Sequence, residues 1–210
     1  MRTLIATVCF ALATAASGQA AFGQGTPAPA PKPGAAAKPA AKPPEKVTVA
    51  QIMDRQLSAL EGDFVPAAEA MPEDKFGFAP TQGEFKGVRT FALQVKHVAH
   101  TNLAIFSLML GEKLPNFDPN EDNGPEKMTS KADIIKYLKD SFEMGHRAMK
   151  GLTEAKLTER LKDPSNPDSP GPTRLGAASL TVWHSFDHYG QMVEYLRMNG
   201  IVPPASRPQK

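Results

Sequence analysis

From Val47 to Pro204 apolar residues recur at helical spacing, and no run alternates apolar with polar long enough to make a credible strand. That periodicity leaves one broad class of fold. Thr48 is placed to cap a first helix through VAQIMDRQLSALEGDFVPAAEAM, with Pro66 kinking it or marking a break. A second helix is predicted over roughly Val88 to Leu110, stopped by Gly111 and Pro115. Thr129 or Ser130 caps a third through KADIIKYLKDSFEMGHRAMKGL. A fourth runs from near Arg174 to a C-terminal cap at Gly200, with Pro203 and Pro204 beyond it. Four long amphipathic helices joined by loops predict an all-α, up-down four-helix bundle over residues 47–204, one domain with one core, followed by a tail over 205–210.

The chain ahead of the bundle has a different character. Arg2, an apolar run from Leu4 to Ala16 and small residues at Gly18, Ala20 and Ala21 have the layout of a secretory signal peptide over residues 1–21. The run is too short to cross a bilayer, for which about 20 apolar residues are needed. The expectation is therefore an exported protein, periplasmic or extracellular, with no transmembrane helix in the mature chain. Residues 22–46 are almost all Ala, Pro, Gly and Lys, too poor in large apolar side chains to build a core, and read as a disordered, semi-extended linker. Cys9 is the only cysteine and lies within the signal segment, which removes disulfides, thiolate metal ligands and a cysteine nucleophile from the mature chain. The linker holds four lysines against one glutamate, whereas the rest is close to neutral, so no basic face points to nucleic acid.

Within the bundle the histidines stand out. His184 and His188, spaced four apart in WHSFDHYGQMVEYLRMNG, stack on one side of the last helix and address the same small volume. In helix two, His97 lies on a stripe with Leu93, Ala104 and Leu108, and His100 lies at its edge. If the two stripes meet, three imidazole nitrogens converge, a donor set that suits a borderline divalent ion such as zinc or nickel and leaves further positions open. The alternative is a set of core histidines satisfied by carbonyls or carboxylates. His100, one turn from His97, competes with it as a ligand, while His146 reads as a surface or supporting residue. Asp187 is a candidate to orient an imidazole, with Glu194 and Asn102 behind it. Trp183, Phe186, Tyr189 and Tyr195 read as core and bundle-edge packing. The acidic DPNEDNG loop does not make a calcium site, because Thr129 stands where the twelfth-position glutamate would be, counting from Asp118.

FALQVKHVAHTN in helix two, the preceding MPEDKFGFAPTQGEFKGVRT, and the terminal VWHSFDHYGQMVEYLRMNGIVPP together resemble the DinB-like family of metal-binding four-helix proteins, which includes the YfiT type. The resemblance implies metal ligation by one histidine of helix two and two of the last helix, which fall on His97, His184 and His188. It implies a metal-dependent transferase or hydrolase acting on an unknown small-molecule substrate, with a homodimer as a further expectation. Relatives that use low-molecular-weight thiols fit poorly with export, since small thiols are scarce outside the cytoplasm. A non-enzymatic metal-binding or interaction module of the cell envelope is the alternative.

Overall fold

The computed structural model describes residues 46–118, 120–162, 168 and 170–208. The expected signal peptide and nearly all of the linker lie outside these residues. Four helices form: α1 (Val49–Ala70), α2 (Phe91–Leu110), α3 (Lys131–Lys150) and α4 (Arg174–Met198). Among the described residues there is no strand, only an isolated bridge between Arg160 and Thr173. No helix among them is long and apolar enough to cross a membrane.

Each helix begins at a hydroxyl that accepts from a backbone N–H three residues on. Thr48 accepts from Gln51, whose side chain returns the bond to the Thr48 N–H at 2.9 Å and completes a capping box. Thr90, Ser130 and Thr173 cap the others. The Thr90 cap starts α2 at Phe91, three residues later than the periodicity suggests, because the Phe91 and Ala92 N–H groups bond back to Phe78 and Phe76 at 2.8 Å each. Pro66 neither ends nor interrupts α1. The carbonyl it leaves without a partner is that of Gly62, an exposed residue, where water can serve instead. Gly111 and Gly200, at φ 70° and 73°, close α2 and α4 in the left-handed conformation that costs glycine nothing. A short 3-10 turn over Pro204–Ser206 then lies against α1.

Side-chain pairs fix the direction of each helix. Lys131, at the start of α3, donates to the Glu69 and Met71 carbonyls at the end of α1, at 2.9 and 2.6 Å, so α1 and α3 are antiparallel. His100 meets Tyr137 near the start of α2 and α3, and Glu112 meets Arg147 at their far ends, so these two run parallel. Gln94 reaches Gln191 while Arg174 donates to the Met109 carbonyl at 2.9 Å, so α4 opposes α2. The bundle thus contains helices of both directions in the succession up, down, down, up. α1 and α2 each pack on α3 and α4 and sit at opposite corners.

Because α2 and α3 are parallel, the 111–130 connection must travel back along the whole bundle, over the face they share. Lys96, only 5% exposed, pins this return segment by donating to the carbonyls of Pro125 and Met128 at 2.8 and 3.0 Å. Burial lowers the pKa of Lys96, against the opposing pull of Glu121 and Glu126. Gly124, at φ 70°, lets the segment pass close: a Cβ there would lie 3.3 Å from the Lys96 carbonyl oxygen. With the segment in place, α2 is buried without interruption from Gln94 to His100, charged and polar residues included.

The core is built on Phe64, Phe106, Phe142, Leu57, Leu138 and Met192, all fully buried. Gly145 allows α3 to approach α1 and α2, since a Cβ there would lie 2.6 Å from Phe106 Cε2 and 2.8 Å from Leu57 Cδ2. Gly145→Ala should therefore destabilise the domain by about 1–3 kcal/mol despite the better helix propensity of alanine, visible as a melting temperature lowered by several degrees. A variant as stable as the parent would show that Phe106 can swing aside.

His146 joins α3 to α1, with Nδ1 2.6 Å from Asp54 Oδ1 and Nε2 2.9 Å from Glu61 Oε2. Burial opposes its charge, but the two carboxylates outweigh burial and raise its pKa above the ordinary 6.5. The stabilisation is fully present below the unfolded-state value and fades as pH rises through the folded one. His146→Gln should cost on the order of 1 kcal/mol near pH 6 and clearly less near pH 9 in denaturant titrations. An equal cost at both pH values would contradict the assignment.

Candidate metal centre

α2 and α4 cross with their histidine stripes facing. The His97 and His184 Nε2 atoms are 3.1 Å apart, and those of His184 and His188 are 3.2 Å apart. One nitrogen from each of the three rings lies within 4.8 Å of the other two. His97 and His188 are buried, and His184 is half-buried at the mouth.

The outer nitrogens decide which atoms are free. His97 Nδ1–H donates to the Asp122 carbonyl at 2.5 Å, delivered by the return segment. A carbonyl cannot donate, so the His97 proton sits on Nδ1 and Nε2 carries a bare lone pair. For His188 the same result is reached through a relay of amides. The Asp187 carboxylate accepts from Gln191 Nε2 at 3.1 Å, which turns Gln191 Oε1 toward Gln94. Gln94 Nε2 donates to that oxygen at 2.8 Å, leaving Gln94 Oε1 to accept the Nδ1–H of His188. His188 Nε2 is therefore also bare. His184 Nδ1 is buried with no hydrogen-bond partner.

His184 and His188 stay neutral near pH 7. Burial, reinforced by the neighbouring His184 and His97, pushes the pKa of His188 down to about 3. Burial and then His97 lower that of His184. With the Nδ1 protons of His97 and His188 committed outward, His184 has at most one proton to place between two facing lone pairs. The cluster is one donor short, and a cation is the group that would satisfy all three nitrogens. The all-imidazole donor set and the N···N separations fit a divalent ion held at about 2.0–2.1 Å from each nitrogen.

Charged neighbours complete the surroundings. Arg89 pairs with Asp122 Oδ2 at 2.5 Å and donates to Asn123 Oδ1 at 2.6 Å, holding the segment that supplies the His97 acceptor. Burial works against the charge of Asp122, yet Arg89 keeps its carboxyl below the usual range. Trp183 stands edge-on to His184, ring centroids 6.3 Å apart, and is 60% exposed, so it belongs to the surface and not to bundle-edge packing. Phe186 is partly exposed on the other side of α4 from His184, against Tyr189, whereas Tyr195 is buried with its hydroxyl on the Arg89 carbonyl.

The structure sorts the remaining candidates. His100 faces away from the triad. Its Nε2–H donates to the Asp118 carbonyl at 2.9 Å, its Nδ1 accepts from the Tyr137 hydroxyl at 2.9 Å, and its ring stacks on Phe117. Asp187 touches no imidazole directly and reaches His188 only through two glutamines. Glu194 is exposed, and Asn102, fully buried, meets Ser185. The sequence reading missed Gln94, Arg89, Lys96 and Asp122. Gln94 carried a faint signal, a glutamine three residues before His97 on an inward-facing stripe.

A model of the DinB superfamily matches residues 56–192. The chain belongs to the DinB superfamily. Among solved structures this DinB domain is similar to the DinB-like protein YjoA from Bacillus subtilis, at 19% identity, covering 75% of this chain and 99% of that one with a TM-score of 0.54. It is also similar to YfiT from Bacillus subtilis, a probable metal-dependent hydrolase with an unusual four-helix bundle topology, at 22% identity, covering 76% of this chain and 94% of that one with a TM-score of 0.54. No curated protein matches the sequence.

The relay predicts a specific tautomer for a DinB domain with this hydrogen-bond pattern. In metal-free protein, nitrogen-15 shifts should report His188 as the Nδ1–H form, and Gln94→Leu should shift the population to Nε2–H. Asp187→Asn should do so in part, because an asparagine no longer forces the orientation of Gln191. An Nε2–H His188 in the parent protein would remove the relay.

Proposed function

We propose that this domain binds one divalent metal ion through Nε2 of His97, His184 and His188 and acts as a metal-dependent hydrolase on a small-molecule substrate. The observation that carries the reading is the proton shortage at the triad: three converging Nε2 atoms, two of them bare because their rings donate outward. Zinc or nickel suits three neutral imidazoles best. When bound, such an ion supplies a Lewis acid that polarises a substrate oxygen. His97, His184 and His188 hold it, Gln94 and the Asp122 carbonyl fix two of the rings, and Arg89 keeps Asp122 in place. Trp183, edge-on to His184, gives the mouth an apolar surface against which a substrate body can rest. The likeness to YfiT supports hydrolysis over transfer. The signal-peptide layout of residues 1–21 supports export, where small thiols are scarce.

A non-enzymatic metal-binding or interaction module of the cell envelope is the second reading, favoured by one observation. The carboxylates whose charge reaches the triad already have partners: Asp187 Oδ2 accepts from Gln191, and Asp122 Oδ2 pairs with Arg89.

Metal analysis of purified protein tests the site. Wild type should carry about one ion per chain and His184→Ala less than a tenth of that, since removing one of three ligands abolishes tight binding. Equal content in both would remove the site. Hydrolysis of a panel of simple esters and thiol adducts should depend on the ion and vanish with chelation. Metal-loaded protein inactive across the panel would favour the binding module.

A further inference from the structure

A cavity of about 480 Å³ lies between α2, α3 and the returning 111–130 segment, and none of the three triad histidines lines it. Its volume is that of a site for a small organic molecule. Leu103 and Met144 from the helices, with Leu114, Phe117 and Pro125 from the segment, give it apolar walls. His100 forms part of the lining, stacked on Phe117 with ring centroids 4.2 Å apart, and both its nitrogens are already bonded. The aromatic surface therefore offers packing and no spare hydrogen-bonding group.

The charges at the rim are unbalanced. Asp140 is paired with Lys136 at 2.5 Å, and Arg147 grips Glu112 through two bonds of 2.5 and 3.0 Å. Both cations at this rim are thus committed. Glu121 and Glu143 also line the cavity, and among the described residues neither has a cation within salt-bridge distance. Glu121 lies close enough to the interior for its charge to act on His100, Tyr137 and Lys96. Lys96 feels Glu121 and Arg147 feels Glu143 only at longer range, so an anionic ligand would meet two like charges and a neutral one would leave both carboxylates without a direct ion pair.

We propose that this cavity binds a small organic cation, a primary amine on an alkyl or aryl body, with its ammonium group directed at Glu121 and Glu143 and its apolar part against Leu103, Phe117 and Met144. The site is separate from the histidine triad and does not rest on metal binding there. Three isosteric probes distinguish the terms of recognition: 4-phenylbutylamine, 4-phenylbutanol and 4-phenylbutyrate, titrated calorimetrically into the full chain.

The amine should bind with one-to-one stoichiometry and at least about tenfold more tightly than the alcohol, with the carboxylate weakest. The surface double variant Glu121→Gln/Glu143→Gln should bring the amine to the level of the alcohol and leave the alcohol unchanged. Met144→Trp, which fills the cavity, should weaken amine and alcohol alike by about tenfold or more, with a melting curve to confirm that the variant folds. His184→Ala should leave amine binding unchanged. The proposal is overturned by absence of saturable amine binding, by carboxylate or alcohol binding as tight as the amine, by indifference of the amine to the double glutamine variant, or by its loss in His184→Ala. The last result would place the amine at the triad instead.

Discussion

Three imidazoles sharing one interior volume, with too few free protons to satisfy one another, form the constraint around which the rest of this domain is arranged. Burying unsatisfied polar groups is expensive, on the order of 1–3 kcal/mol each in proteins, so a bundle would not keep such a cluster by accident of packing. The surrounding residues sharpen the mismatch. A backbone carbonyl draws the proton of His97 outward, and two glutamines aligned by Asp187 do the same for His188. Burial then keeps His184 and His188 from acquiring charge. Every arrangement favours lone pairs directed at a common point.

The architecture explains how these parts come to one place. Parallel packing of α2 and α3 sends the 111–130 segment back along the bundle, and the same segment provides the His97 acceptor and the cover over the neighbouring cavity. It is fastened from α2 by Lys96, from just before α2 by Arg89, and from both α2 and the segment itself by the His100–Phe117 stack. A connection that looks in sequence like an acidic, turn-rich spacer is a structural layer, and one side of the centre is built from it.

How much of this was legible in the sequence follows from what periodicity encodes. Spacing on a single helix is local, so the four helices, the Thr48 cap, the Gly111 stop and the shared face of His184 and His188 could be read directly, whereas the Thr90 and Thr173 caps were not. That α2 would offer His97 to that face came from the family resemblance together with its stripe, and the structure brings the rings within hydrogen-bond distance. Partners across helices were not legible. Periodicity says which side of α3 is apolar but not that it runs parallel to α2, and the position of Asp122 depends on that choice. Asp187 shows the same limit in miniature. Its proximity in sequence suggested direct contact with an imidazole, but at one residue before His188 it points around the helix, and two intervening amides are needed to bridge the gap. The break allowed for at Pro66 does not occur, since the carbonyl it leaves without a partner belongs to an exposed position four residues earlier, where water can bond it.

The chain contains a single tryptophan, and it is the residue that stands edge-on to His184 at the open side of the triad. Any change of charge at that ring therefore falls on the only indole in the molecule, which is largely in contact with water. Its emission makes the domain a natural optical reporter of its own centre, readable in dilute solution without a label or an engineered probe.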